Sequence, residues 1–100
     1  MKRLKPADRK DEILLAAVAV AKFGSYTAMT RAAVAELADC APSLVQHYFR
    51  TMGRLRRDVM RYAVKHEILG IVAEGLALKN RHAMKASDDL KQKATRSILL

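Results

Sequence analysis

The chain has 100 residues, is 51% hydrophobic and 29% charged, and carries a formal net charge of +9 with a pI near 10.1. That length makes one small domain, the apolar fraction argues against a disordered chain, and the basic excess favours a polyanionic partner, nucleic acid first and an anionic membrane surface second. No apolar run reaches transmembrane length, no signal-peptide core follows the basic start, and the single Cys40 can neither close an internal disulfide nor frame a metal site. A cytoplasmic, nucleoid-associated protein with no cofactor, no metal and no membrane partner is expected.

Residues 1–7 read as a basic arm, with Lys2, Arg3 and Lys5 lacking any apolar period. The arm is either a solvated tail or a reach toward phosphates or a minor groove. Asp8 is a candidate N-cap, with Asp11 and Glu12 in the first turn where the helix dipole favours them. Ile13, Ala16, Ala17, Val20 and Ala21 then recur at helical spacing, and Phe23 and Gly24 close this first helix, with Gly24 as the expected left-handed residue. Residues 25–29 form a short connection. Thr30 should cap a second helix over residues 31–38, with Val34, Leu37 and Ala38 facing inward.

The stretch Ala35 to Phe49, AELADCAPSLVQHYF, has the spacing of two short helices joined by a tight turn. Ala35 is small enough for the helices to touch, Asp39 is among the few non-glycine residues that tolerate a left-handed turn, and Pro42 suits the first position of a third helix ending at Phe49. Val45 and Phe49, spaced i and i+4, should anchor that helix. Thr51 can cap a fourth, long helix over residues 52–78, with Leu55, Val59, Tyr62, His66, Leu69 and Leu76 as its stripe. Gly70 and Gly75 inside it mark a kink or a close helix crossing. Lys79 to Lys85 read as a basic loop. Ser87-Asp88-Asp89 opens a fifth helix whose apolar side is Leu90, Ala94, Ile98, Leu99 and Leu100.

From Ile13 to Leu55 the chain resembles the N-terminal DNA-binding domain of TetR-family transcriptional regulators. Ile13, Leu14, Ala16, Ala17 and Gly24 carry the resemblance first, then Thr30, Val34 and Ala35, then Ala38, Val45, Tyr48, Phe49 and Leu55. The segment LVQHYFRTMGRL is the most family-like. The chain departs from the family at Asp39-Cys40, where Gly-Val is usual, at Gln46, where an aromatic is usual, and at Met52, where a phosphate-contacting Lys is usual. The resemblance implies an all-α fold: a TetR-like three-helix helix-turn-helix domain followed by a long helix and a short C-terminal helix. The expected organisation is a basic arm over residues 1–7, a DNA-binding domain over residues 8–55 and a helical dimerisation region over residues 56–100. The chain ends too soon after Leu55 to hold the large inducer-binding domain such regulators carry, so DNA binding without small-molecule induction is implied.

A helix lying in the major groove must offer hydrogen-bonding groups to base edges. On the third helix these are Ser43, Gln46 and His47, with Gln46 able to bond adenine in a bidentate way and Pro42 and Leu44 suited to thymine methyls. The bland alternative is that Gln46 and His47 are merely solvated. The resemblance makes Thr30 a phosphate ligand through its hydroxyl and nearby amides, and Tyr48 can offer its hydroxyl likewise. Arg50, Arg54 and Arg57 are expected to face DNA, and Arg61 to pair with Asp58 or remain solvated. Ile68, Ile71, Val72, Leu76, Ile98 and Leu99 exceed what one small core can use and form the expected homodimer interface. His47, His66 and His82 have no metal-ligand spacing with Cys40, and no nucleophile, base and orienting group are grouped, so an enzyme is not expected. The expected function is a small dimeric repressor on a palindromic operator, controlled by its own concentration or a protein partner and suited to a phage or plasmid. The competing readings are an excision, partition or packaging factor and a protein-interaction module on a helix-turn-helix scaffold.

Overall fold

Helix α1 (Pro6–Phe23) lies against α2 (Arg31–Leu37) and α4 (Met52–Lys65), with α3 (Pro42–Phe49) closing the first half of the chain. The second half adds α5 (Leu69–Ala77), the single-turn α6 (Arg81–Met84) and α7 (Asp88–Leu99). This is a computed structural model that describes residues 6–99; among them every regular element is a helix. Residues 1–5 of the expected arm lie outside the described residues, and Ala7 belongs to α1. One continuous core draws buried side chains from all seven helices.

In α1 the expected stripe is buried at Ile13, Ala16, Ala17 and Ala21, with Val18 added and Val20 half-buried. Asp8 sits inside the first turn rather than at the cap, because the helix begins before it. The helix ends at Phe23 as expected, but no glycine has positive φ. Gly24 is needed for closeness instead. Its N–H bonds Val20 O at 2.9 Å, and a Cβ there would stand 2.9 Å from that same oxygen. The connection after it carries Tyr26 and Met29 into the core, which its lack of period concealed.

Three helices end in the same way. The residue after the C-cap takes a left-handed conformation at Asp39 (φ 54°), Glu67 (φ 53°) and Lys79 (φ 56°). The next amide then reaches back to a carbonyl one turn earlier: Cys40 N to Ala35 O at 3.0 Å, Ile68 N to Ala63 O at 2.9 Å, Asn80 N to Gly75 O at 2.8 Å. This is the Schellman arrangement, held here without glycine. At Glu67 it corrects the expectation of one helix over residues 52–78. The chain folds back so that Ile71, Val72 and Ala73 enter the core. Burying Ile71 and Val72 gains roughly 1.5–3 kcal/mol each, more than the ~1–2 kcal/mol of a left-handed residue.

Leu37, expected inward, is exposed. The inward arc of α2 is Val34, Ala35 and Ala38, and Leu37 lies past its edge. The expected loop over residues 79–85 contains α6, whose N-cap Asn80 accepts from His82 N at 2.9 Å and Ala83 N at 3.2 Å. Gly75 lets α6 approach: a Cβ there would be 2.5 Å from Met60 Cε and 2.8 Å from Ala83 Cβ. It marks the close crossing, whereas a Cβ on the exposed Gly70 would meet nothing within 4 Å. Ser87 Oγ caps α7 by accepting from Leu90 N at 3.1 Å, and Leu90 and Ala94 face inward.

Candidate nucleic-acid interface

Helix α3 is seated by its two anchors. Val45 and Phe49 are buried, and Leu44 and Tyr48 pack partly against the core. The opposite face carries Pro42, Ser43, Gln46 and His47, all exposed. Leu44 therefore gives only part of its side chain to solvent. The His47 and Tyr48 rings meet edge-on with centroids 5.0 Å apart, and Lys10 from α1 stands 5.4 Å over the Phe49 ring.

The helices on either side of α3 in the chain, α2 and α4, both start from threonine caps. Thr30 Oγ1 accepts from Ala33 N at 3.1 Å, and Thr51 Oγ1 accepts from Arg54 N at 3.1 Å. Each hydroxyl uses a lone pair in the cap, so its hydrogen remains free to donate to an anion. The segment leading to Thr30 is held from α5. The Glu74 carboxylate accepts from Tyr26 N at 3.2 Å, Ser25 Oγ at 3.3 Å and Thr27 N at 3.4 Å. Tyr26 is tied down at its other end by donation from its hydroxyl to Arg56 O at 3.1 Å. Burial raises the Tyr26 phenol above its ordinary pKa; nearby Arg56 lowers it and Glu74 raises it further.

Between α3 and α4 the backbone turns within three residues. Arg50 has φ 66° and ψ −57°, and Thr51 N donates to Phe49 O at 2.7 Å. This is the rare, strained form of the γ-turn, with a charged residue at its centre. Arg50 and Arg54 are exposed and have no carboxylate partner among the described residues. Met52, where the resemblance implies that a phosphate-contacting Lys is usual, packs partly against the core.

Arg57 is exposed but has a carboxylate partner. Its Nε donates to Asp58 Oδ1 at 3.2 Å, and its side chain lines a cleft with its neighbour Arg56 and with Gly53, one turn back. Arg61, expected to pair with Asp58 or remain solvated, is exposed and has no carboxylate partner among the described residues. Asp58 is occupied by its neighbour instead. Arg56 was not singled out by sequence reasoning, yet its Nη2 reaches Met29 O at 3.4 Å, beside Thr30. A charge run alone gives no signal of which arginine turns inward.

The expected dimer residues divide. Ile71 and Val72 are covered by the chain's own helices and offer no surface to a second copy, which corrects the expectation for those two. Ile68 and Leu76 are half-buried, and Ile98 and Leu99 are exposed. His66 is exposed and stacks on Tyr62 with centroids 4.1 Å apart. No group of His, Cys, Asp and Glu able to hold a metal occurs among the described residues, and no described helix is long and apolar enough to cross a membrane. No family model, curated protein or solved structure matches this chain.

Proposed function

We propose that α2 and α3 form a TetR-like helix-turn-helix and that the chain is a sequence-specific DNA-binding regulator, acting as a dimeric repressor. The observation that carries the reading is the exposed face of α3. Ser43, Gln46 and His47 stand together opposite the buried Val45 and Phe49; the neighbouring helix starts carry the Thr30 and Thr51 hydroxyls, and Arg50 and Arg54 follow α3 without a carboxylate partner among the described residues. A helix so presented suits the major groove, where Gln46 can bond adenine and the flanking cations and hydroxyls can take phosphates. The overall charge of +9 supplies attraction to the duplex. Dimerisation would double a short half-site, and the surface available for it is Ile98 and Leu99 with the half-buried Ile68 and Leu76.

The test is selection of bound sequences from random duplexes, repeated with Gln46→Ala and Arg50→Ala. A palindromic motif is expected, with Gln46→Ala relaxing one position of it and Arg50→Ala weakening binding to all sequences. Sequence-blind binding would replace the regulator with an architectural role, and binding unaffected by either substitution would remove α3 from the interface.

A further inference from the structure

A second concentration of positive charge lies away from α3. A cleft of about 380 Å³ opens between α4 and α6, lined by Gly53, Arg56 and Arg57 on one side and by Asn80, Arg81 and His82 on the other, with Tyr26 at its end. Arg61 lies one helical turn beyond Arg57 on α4, and Lys85 directly follows α6 as its C-cap. Burial lowers the His82 imidazole below its ordinary pKa, and the charges of Arg81, Arg61, Lys85 and Arg57 lower it further, in that order. That ring shares the cleft lining with Arg56 and Arg57 of α4 and Arg81 of α6. The nearby carboxylates are engaged: Asp58 holds Arg57, and Glu74 holds the Tyr26 and Thr27 amides and the Ser25 hydroxyl. Arg61, Arg81 and Lys85 have no carboxylate partner among the described residues.

Like charges gathered this way repel one another in the free protein, and a bound anion removes the repulsion. The gathering depends on an unusual approach. Only because Gly75 has no side chain can Ala83 seat α6 against α5 and bring Arg81 and His82 beside α4. Arg56, on its rim, bonds Met29 O, the carbonyl immediately before Thr30.

We propose that the α4–α6 cleft binds a backbone phosphate of duplex DNA outside the base pairs read by α3, through Arg57, Arg81 and His82 with Arg61 and Lys85 behind them. The proposal rests on the regulator reading and deepens it, because it extends the footprint along the duplex. Two duplexes distinguish the footprints. One contains only the sequence enriched by selection; the other carries about one helical turn, roughly 10 base pairs, of random flank on each side. Affinity is measured by fluorescence anisotropy over a salt series for the wild type and for Arg81→Gln/Lys85→Gln, whose altered side chains are exposed and unpaired.

The wild type should bind the flanked duplex more tightly and with a steeper salt dependence. The double variant should lose about one unit of that slope on the flanked duplex, the ~0.9 of a single phosphate contact, and bind the short duplex as the wild type does. Addition of the flanked duplex should also move the His82 ring resonances in the NMR spectrum, and the short duplex should not. Equal slopes for the two proteins on the flanked duplex, with sequence preference intact, would overturn the cleft proposal alone. Failure of the wild type to bind either duplex would overturn it together with the regulator reading.

Discussion

Arg50 sits where two demands conflict, and substituting it separates them. Its φ of 66° and ψ of −57° put an L-residue in a region costing roughly 1–2 kcal/mol, while its guanidinium stands free at the edge of α3. Arg50→Gly removes both the strain and the charge. Arg50→Ala removes the charge and keeps the strain. Glycine gives back about 0.5–1 kcal/mol through the freedom it adds to the unfolded chain, so Arg50→Gly should exceed Arg50→Ala in stability by about 1 kcal/mol. For a chain of this size that separates the midpoints of thermal unfolding by roughly 4–8 °C. Urea and thermal unfolding followed by far-ultraviolet circular dichroism read this difference. The two variants should bind DNA alike and more weakly than the wild type, each losing about 0.9 of salt slope. A glycine variant no more stable than the alanine variant would refute the strained turn. A glycine variant binding as the wild type does, with unchanged slope, would refute Arg50 as a phosphate contact.

Other substitutions test the packing and the charges. Gly75→Ala should destabilise by about 1 kcal/mol in urea unfolding, because roughly 1–3 kcal/mol of overpacking against Met60 and Ala83 exceeds a helix-propensity gain of about 1 kcal/mol. Gly70→Ala, with open space around it, should instead stabilise by about 0.5 kcal/mol, so the two alanines are expected to move the midpoint in opposite directions. Glu74→Ala should cost about 1–3 kcal/mol and speed hydrogen exchange at the Tyr26 and Thr27 amides, while exchange at Ala63 stays slow. The lowered His82 pKa gives a pH dependence of definite sign. As pH falls through 6.5 the unfolded chain takes up this proton before the folded chain does, so acidification from there down to the folded pKa lowers stability. Stability curves at pH 7.5 and pH 5 should show a smaller acid loss for His82→Gln than for the wild type.

Much of the first half was legible because its boundaries carry explicit chemistry. Thr30 and Thr51 announce helix starts with hydroxyl caps, and Pro42 opens α3 where its missing N–H is not needed. Val45 and Phe49 share one face one turn apart, so the face opposite them could be named residue by residue. The second half hid its boundaries. The left-handed residues that end α4 and α5 are Glu67 and Lys79, and neither carries the glycine or asparagine signal by which such ends are recognised. The sequence therefore reads as one helix running straight through Glu67. That error carried Ile71 and Val72 to an outer surface, since an apolar stripe looks the same whether the chain or a second copy covers it. The cleft went unseen for the same reason. Arg56 and Arg57 are distant in sequence from Arg81 and His82, and only the reversal at Glu67 and the approach at Gly75 bring them to one place.

The Glu74 carboxylate also orders events in time. It lies 48 residues after the Tyr26 amide it holds, and that amide belongs to the segment that delivers Thr30. On the ribosome, α1 to α3 emerge first and can form their local helices, but the connection before α2 stays untied until α5 has left the exit tunnel and folded back. A nascent chain would therefore expose its basic side chains before its α3 face is held in position. The fifth of the seven described helices thus decides when the segment before the second is held.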